Sequence, residues 1–244
     1  MGVFQQPDRK NILSSFLNLL FPPLCPLCEA GIKEDAFCAP CLSGSKRMDG
    51  PVCLLCGRPF ASEAGIHHTC ADCLKKNPPF VKARSAFYYE GTLLSAIHRF
   101  KYGGNMAFLK PLSLLLSHAM TLLNERPDII VPVPLHKERL KKRGFNQSLL
   151  LARELAKGLS VEVDCMNLKR TLNTLPQVDL KEKERVINVK GAFTVKDPSK
   201  FKGKRVLLVD DVFTTGATVR ECAKVLKKAG AEVFAVTLAR VGHM

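Results

Sequence analysis

Val206-Leu207-Leu208-Val209-Asp210-Asp211-Val212-Phe213-Thr214-Thr215-Gly216-Ala217-Thr218 is the stretch on which the fold turns. Four consecutive apolar residues read as a buried strand, the kind found in a parallel sheet covered on both faces. Two adjacent carboxylates mark the exit of that strand, and Thr-Thr-Gly-Ala-Thr then opens a helix. Backbone N–H groups at a helix N-terminus cradle a phosphate when hydroxyls stand beside them and a glycine permits close approach. Carboxylates next to that phosphate would be repelled by it. They are suited instead to accept hydrogen bonds from sugar hydroxyls, as acidic residues do in dinucleotide-binding folds. A phosphate joined to a ribose satisfies both halves of the motif. It is neither a Gly-x-Gly-x-x-Gly turn nor a Walker A loop, because no Gly-Lys-Ser/Thr is present.

Outward from this stretch, strand and helix patterns alternate. Val81 to Glu90, Asp128 to Val133, Lys204 to Val209 and Glu232 to Leu238 read as strands. Leu93 to Tyr102, Phe108 to Leu123, Gln147 to Leu159 and Thr215 to Ala229 read as helices, the last stopped by Gly230. This order predicts an α/β fold with a largely parallel sheet flanked by helices, and ligands outside the carboxyl ends of its strands. Residues 134–146 and 170–192 read as long loops, which in compact domains are commonly functional. The first contains Pro134, Lys137, Arg139, Lys141, Lys142, Arg143 and Gly144, a density of cations suited to a polyanion or to a solvated surface.

Eight of the ten cysteines fall in four Cys-x-x-Cys pairs: Cys25/Cys28, Cys38/Cys41, Cys53/Cys56 and Cys70/Cys73. Two such pairs complete a four-sulfur tetrahedral shell, so four pairs predict two structural zinc sites. Sequential pairing is the simplest arrangement; an interleaved one and iron–sulfur ligation stay open. Cys165 and Cys222 read as small apolar residues. The expected organisation is a leader helix over 1–24, a double zinc-ribbon module over 25–76, a break at Asn77-Pro78-Pro79, and an α/β domain over 81–244.

The formal charge of +15 is uneven: residues 1–80 carry +1 and residues 81–244 carry +14. The second part should attract anions, whether phosphorylated metabolites or nucleic acid. No run reads as the roughly 20 apolar residues of a membrane span. No small-residue cleavage site follows the N-terminal apolar run, and the expected location is the cytoplasm.

The Val206–Thr218 run resembles the signature for 5-phosphoribosyl 1-pyrophosphate (PRPP) in type I phosphoribosyltransferases, departing only at Phe213, where a smaller aliphatic is more usual. Most of residues 25–240 resemble the ComF family (ComFC/GntX-like), a double zinc ribbon followed by a phosphoribosyltransferase domain. The matching segments are the cysteine pairs, Phe100-Lys101-Tyr102-Gly103-Gly104, Val131-Pro132-Val133-Pro134, Arg143-Gly144-Phe145-Asn146-Gln147, and Arg170-Thr171 through Pro176-Gln177, Arg185 and Asn188. The resemblance implies that Asp210 and Asp211 hold the ribose hydroxyls and that Thr214, Thr215, Gly216, Ala217 and Thr218 hold the 5′-phosphate. It also implies that magnesium rides on the pyrophosphate and that Pro134, Lys137, Arg139, Arg143 and Gly144 face the pyrophosphate. Residues 170–188 resemble a catalytic loop, with Arg143, Gln177 and Arg185 as candidate catalytic residues and Thr171 beside them. Lys101 and Tyr102 are candidates for the acceptor region. Two functions follow from the resemblance. One is phosphoribosyl transfer linked to natural competence. The other is non-catalytic single-stranded DNA binding on the same scaffold, with other competence or recombination proteins as partners.

Overall fold

The structure is a computed structural model and describes residues 22–34, 36–60, 65–174 and 182–242. The expected leader helix therefore lies outside the described residues for 1–21, as does Gln177. In chain order the elements are α1 (Ala39–Ser43), α2 (Ala71–Lys76), β1 (Lys82–Tyr88), α3 (Gly91–Gly103), α4 (Leu109–Leu123), β2 (Ile129–Pro132), α5 (Lys137–Arg143), α6 (Gln147–Leu159), β3 (Glu162–Val163), β4 (Leu168–Arg170), α7 (Glu182–Val189), β5 (Phe193–Val195), β6 (Arg205–Phe213), α8 (Ala217–Lys228) and β7 (Glu232–Arg240).

Five strands form one parallel sheet in the order β1-β7-β6-β2-β3, and β4 pairs with β5 as a separate antiparallel ribbon. The apolar run of β6 explains its central place, because its side chains alternate between two cores. Val206 and Leu208 pack on the face that carries Val219, Cys222 and Leu226 of α8. Leu207 and Val209 pack on the opposite face with Leu112 and Leu116 of α4 and Leu151 and Leu155 of α6. In α8 the buried positions Val219, Cys222, Ala223 and Leu226 follow the spacing of a single helical stripe. Asn146 starts α6: its side chain accepts hydrogen bonds from the N–H groups of Ser148 and Leu149. The same Asn146 amide donates to the Val133 carbonyl at 3.1 Å, fixing that helix start to the end of β2.

Three expectations are corrected. Strand β6 does not end at Val209 but runs to Phe213, so Asp210 and Asp211 lie within the strand, with Asp210 opposite Thr237 and Val212 opposite Ala239 of β7. The cation-rich segment 134–146 is not one long loop, because it contains α5, capped by His136 at its start and by left-handed Gly144 at its end. The segment 170–192 likewise contains α7. A fourth finding concerns Met106–Leu123, which has the length and hydropathy of a membrane span. Here Phe108, Leu112, Leu116, Ala119 and Leu123 are fully buried in the sheet-covering core.

The cysteine-rich segments lie along β1, which is an edge of the sheet. Met48 N–H donates to the Ala86 carbonyl at 3.1 Å, Tyr88 N–H to Lys46 at 2.9 Å, and Ala83 N–H to Leu55 at 2.8 Å. Arg47 and Phe87 make an antiparallel bridge there.

Candidate functional site

The eight paired cysteines form two clusters, Cys25/Cys28/Cys38/Cys41 and Cys53/Cys56/Cys70/Cys73, with the Sγ atoms of each within 4.8 Å of one another. The pairing is thus sequential. A tetrahedral ion with bonds of about 2.3 Å sets its sulfurs roughly 3.8 Å apart. The Cys28–Cys38 and Cys56–Cys70 separations of 3.4 and 3.8 Å fit that ion. Two tetrads that fit two zinc-ribbon sites are therefore present. The first is partly exposed and the second wholly buried. His67 and His68 are exposed beside the second; the His68 ring stacks on Phe60 at 3.8 Å. Arginines surround the second tetrad: Arg84 donates to the Leu54 carbonyl at 3.1 Å, and Arg240 to the Cys56 carbonyl at 2.7 Å.

A pocket of about 700 Å³ opens at the carboxyl ends of β2 and β6. One wall is the strand-to-helix turn, with Asp210, Asp211, Val212, Thr214, Gly216, Ala217 and Thr218. Gly216 is left-handed (φ 75°) and caps α8, which places the helix start, Gly216 to Thr218, on the pocket wall. Thr215 does not line the pocket; its hydroxyl accepts from Ala217 N–H at 3.3 Å and shapes the turn. The opposite wall carries Arg139, Lys142 and Arg143 from α5, with Gln147 and Ser148 from the start of α6. Arg170 comes from β4, and Tyr89, His98, Lys101, Tyr102, Gly103 and Gly104 complete the rim.

The two aspartates have different surroundings. Asp211 is buried and pairs with Lys101, Nζ to Oδ2 at 2.8 Å. Burial pulls the Lys101 ammonium down in pKa, but the Asp211 carboxylate outweighs it and the net shift is upward. Asp210 accepts from Ser148 Oγ at 2.9 Å and from Asp211 N–H at 3.0 Å. Burial first, and then the like charge of Asp211, push its carboxyl up to about 7, against the pull of Lys101 and of these hydrogen bonds. The folded chain therefore holds a proton here that the unfolded chain, with a carboxyl pKa of about 3.9, has released. This group subtracts stability as pH rises through that window toward 7.

The arginines are held in place by neutral partners. Arg143 donates to Gln147 Oε1 at 2.5 Å and lies 5.2 Å from the Tyr102 ring centre. Arg139 donates to the Thr174 carbonyl at 2.5 Å, and Arg170 donates to the Thr174 hydroxyl. Burial, then the neighbouring Arg143, lowers the pKa of Arg139; burial, then Arg139, lowers that of Arg170. A cluster of like charges with no carboxylate among these hydrogen-bond partners is poised for an anion.

Of the residues expected in the pyrophosphate segment, Arg139 and Arg143 reach the pocket, whereas Lys137 is exposed on α5, and neither Pro134 nor Gly144 lines the cavity. Thr171 is exposed, and its hydroxyl and N–H both point to the Ala192 carbonyl. Arg185 is in α7, with its side chain outside the described residues. The pocket adds Ser148, Tyr89 and His98, which sequence reasoning did not single out. Ser148 had a signal, since it sits at the capped start of a helix next to the basic segment.

Residues 16–74 match the family model described as a double zinc ribbon domain, and residues 145–243 match the phosphoribosyl transferase domain. Fold, cysteine tetrads and strand-to-helix turn thus define a zinc-ribbon protein of the phosphoribosyltransferase class. The chain is 35% identical over 227 residues to the DNA utilization protein YhgH of Escherichia coli (strain K12), covering 89% of this chain and 96% of the relative. It is 34% identical to competence protein F of Haemophilus influenzae, covering 84% and 90%, and 29% identical to competence protein ComFC of Bacillus subtilis, covering 89% and 95%. It belongs to the ComF family. Among solved structures, a purine phosphoribosyltransferase from Pyrococcus horikoshii Ot3 matches 53% of this chain and 69% of its own at 22% identity and a TM-score of 0.32.

Proposed function

We propose that the pocket binds PRPP and transfers its phosphoribosyl group to a nitrogen nucleophile, releasing pyrophosphate. The observation that carries this reading is the joint lining of one cavity by three parts: the Asp210–Asp211 pair, the helix start at Gly216–Thr218, and the cations Arg139, Arg143 and Arg170. Asp210 and Asp211 would accept hydrogen bonds from the ribose hydroxyls, and the Thr214–Thr218 backbone would hold the 5′-phosphate. The arginines would face the pyrophosphate, where negative charge grows as the C1–O bond breaks. Nitrogen bonds to C1, the bonding pair leaves with pyrophosphate, and the proton on nitrogen passes to solvent. The transition state is oxocarbenium-like, as in other glycosyl transfers. Magnesium bound to the pyrophosphate would supply further charge neutralisation. Gln177 and Arg185 belong to the segment we assign to closing over the ligand. Residues 25–76 are taken as the metal-binding module and 81–244 as the catalytic domain, in the cytoplasm, where thiols stay reduced.

Calorimetric titration with PRPP and magnesium tests this. The wild-type chain should bind saturably. Asp210→Asn with Asp211→Asn should weaken binding by about 100-fold or more, since each hydrogen bond to a charged group contributes roughly 1.5–3 kcal/mol. Zinc content should stay unchanged. Wild-type affinity in the double variant removes the ribose assignment.

A second reading is favoured by the +14 balance of residues 81–244 and by relatives named for DNA utilization and competence. The exposed Tyr102 ring, next to Arg143, offers one stacking surface for a base. If single-stranded DNA binds there electrostatically, its affinity should fall steeply and log-linearly with salt. A salt-independent affinity, or no binding at low salt, ends this reading.

A further inference from the structure

Phe213, the one departure in the Val206–Thr218 motif, touches Gly216 at the turn. A Cβ at residue 216 would lie 2.2 Å from Phe213 Cζ, so the edge of the ring fills the space beside the helix cap. The same ring carries the Arg240 guanidinium, 4.2 Å from its centre. Arg240 is 3% exposed and ends β7. It donates through Nη1 to the Cys56 carbonyl at 2.7 Å and through Nη2 to Cys56 Sγ at 3.9 Å. Helix α8 is tied to the same tetrad a second time, because Arg220 Nη2 lies 4.0 Å from Cys73 Sγ. The Arg220 guanidinium also lies over Phe80 at 5.4 Å, and Phe80 meets Phe213 edge-on at 6.5 Å.

Among the described residues neither arginine forms an ion pair with a carboxylate. A buried cation left without a counter-charge is strongly unfavourable. Four thiolates around one dication leave negative charge in excess, and the second tetrad supplies it where these arginines point. We propose that Arg240 and Phe213 are positioning residues that couple the second tetrad to the turn at Gly216–Thr218, so that metal in the tetrad and an anion at the turn strengthen one another. Among the described residues the first tetrad shows no such link; it contacts α3, where Thr92 Oγ1 donates to the Cys41 carbonyl at 2.8 Å. The proposal rests on the reading of the turn as the phosphate cradle, and coupling between sites is reciprocal by linkage.

The test uses the full-length, zinc-loaded chain. Amide hydrogen exchange is followed at residues 217–222, the start of α8, where Arg220 N–H bonds the Gly216 carbonyl at 2.8 Å, with residues 147–159 of α6 as the internal reference. Arg240→Met should raise exchange at 217–222 by about tenfold, as expected when local opening loses a buried contact, and leave α6 unchanged. Cys28→Ser, which removes a ligand of the first tetrad, should leave 217–222 at the wild-type rate. A second arm places cobalt(II) in the tetrads. Its thiolate-ligand spectrum at the second tetrad should shift when PRPP and magnesium are added to the wild type, and not in Arg240→Met. Unchanged exchange at 217–222, or an equal rise in α6, overturns the proposal. So does a spectrum indifferent to ligand that calorimetry shows to be bound. If the wild type binds no PRPP, the functional reading fails while the exchange arm still decides the coupling.

Discussion

Lys101→Met is expected to lower the midpoint of thermal unfolding by about 10 °C at roughly pH 8, and by distinctly less near pH 6. Lys101 and Asp211 form a buried ion pair at 2.8 Å, and Asp211 is 4% exposed. Removing one member of such a pair leaves an uncompensated buried charge, a change of about 3–5 kcal/mol. In this case the orphaned carboxylate also sits next to Asp210, whose own pKa is already raised to about 7. The pair can escape part of the penalty by taking up a proton, which is easier at lower pH. The sign follows from linkage: in the variant the folded state binds more protons than the unfolded state above about pH 4, so its stability falls as pH rises. Adding Asp211→Asn should restore most of the lost stability at the higher pH. A Lys101→Met protein that melts like the wild type at both pH values would show that the pair contributes nothing.

Gly216→Ala carries the second large effect, and it acts on ligand binding as well as on stability. Its φ of 75° strains any residue with a Cβ, by about 1–2 kcal/mol. The added carbon would also stand 2.2 Å from the Phe213 ring, so the ring or the turn must move. Overpacking of this kind adds about 1–3 kcal/mol. Because the N–H groups beyond Gly216 form the proposed cradle, PRPP affinity should fall by about 100-fold or more, the equivalent of roughly 2.7 kcal/mol. Gly203→Ala is the matched comparison, with φ 70° and no atom within 4 Å of its would-be Cβ. It should show the backbone strain alone and no change in affinity. Pairing Gly216→Ala with Phe213→Leu should recover part of the packing loss. Equal PRPP affinity for Gly216→Ala and wild type would exclude the turn as the phosphate contact.

The parallel sheet was legible because its strands are apolar runs and its covering helices show single buried stripes, Val219 to Leu226 being the clearest. The α6 boundaries could be read to the residue because Asn146 caps its start. What escaped was short or disguised. Strands β3, β4 and β5 have two or three residues each, too few for a period to emerge. Helix α5 was hidden by the charge of Lys137 to Arg143, although Glu138 in its first turn, cations in its last and Gly144 after it are helix punctuation. The end of β6 was misplaced because two aspartates look like a strand exit; burial of Asp211 against Lys101 holds them inside the ladder. That pairing joins residues far apart in the chain and has no local signature. The cysteine spacing gave the tetrads themselves, and the fold selected the sequential pairing.

The hydrogen bonds from Met48, to Lys46 and to Leu55 cover the outer edge of β1. A bare edge strand is a template for pairing with another molecule. Those three contacts are made by backbone that the metal clusters fold, so stripping the metal uncovers a strand that is still part of an intact sheet. The metal-free chain would then be sticky before it is unfolded. Metal held in the two tetrads would thus guard the protein against self-association, and chelation should register as particle growth in light scattering ahead of any loss of helix.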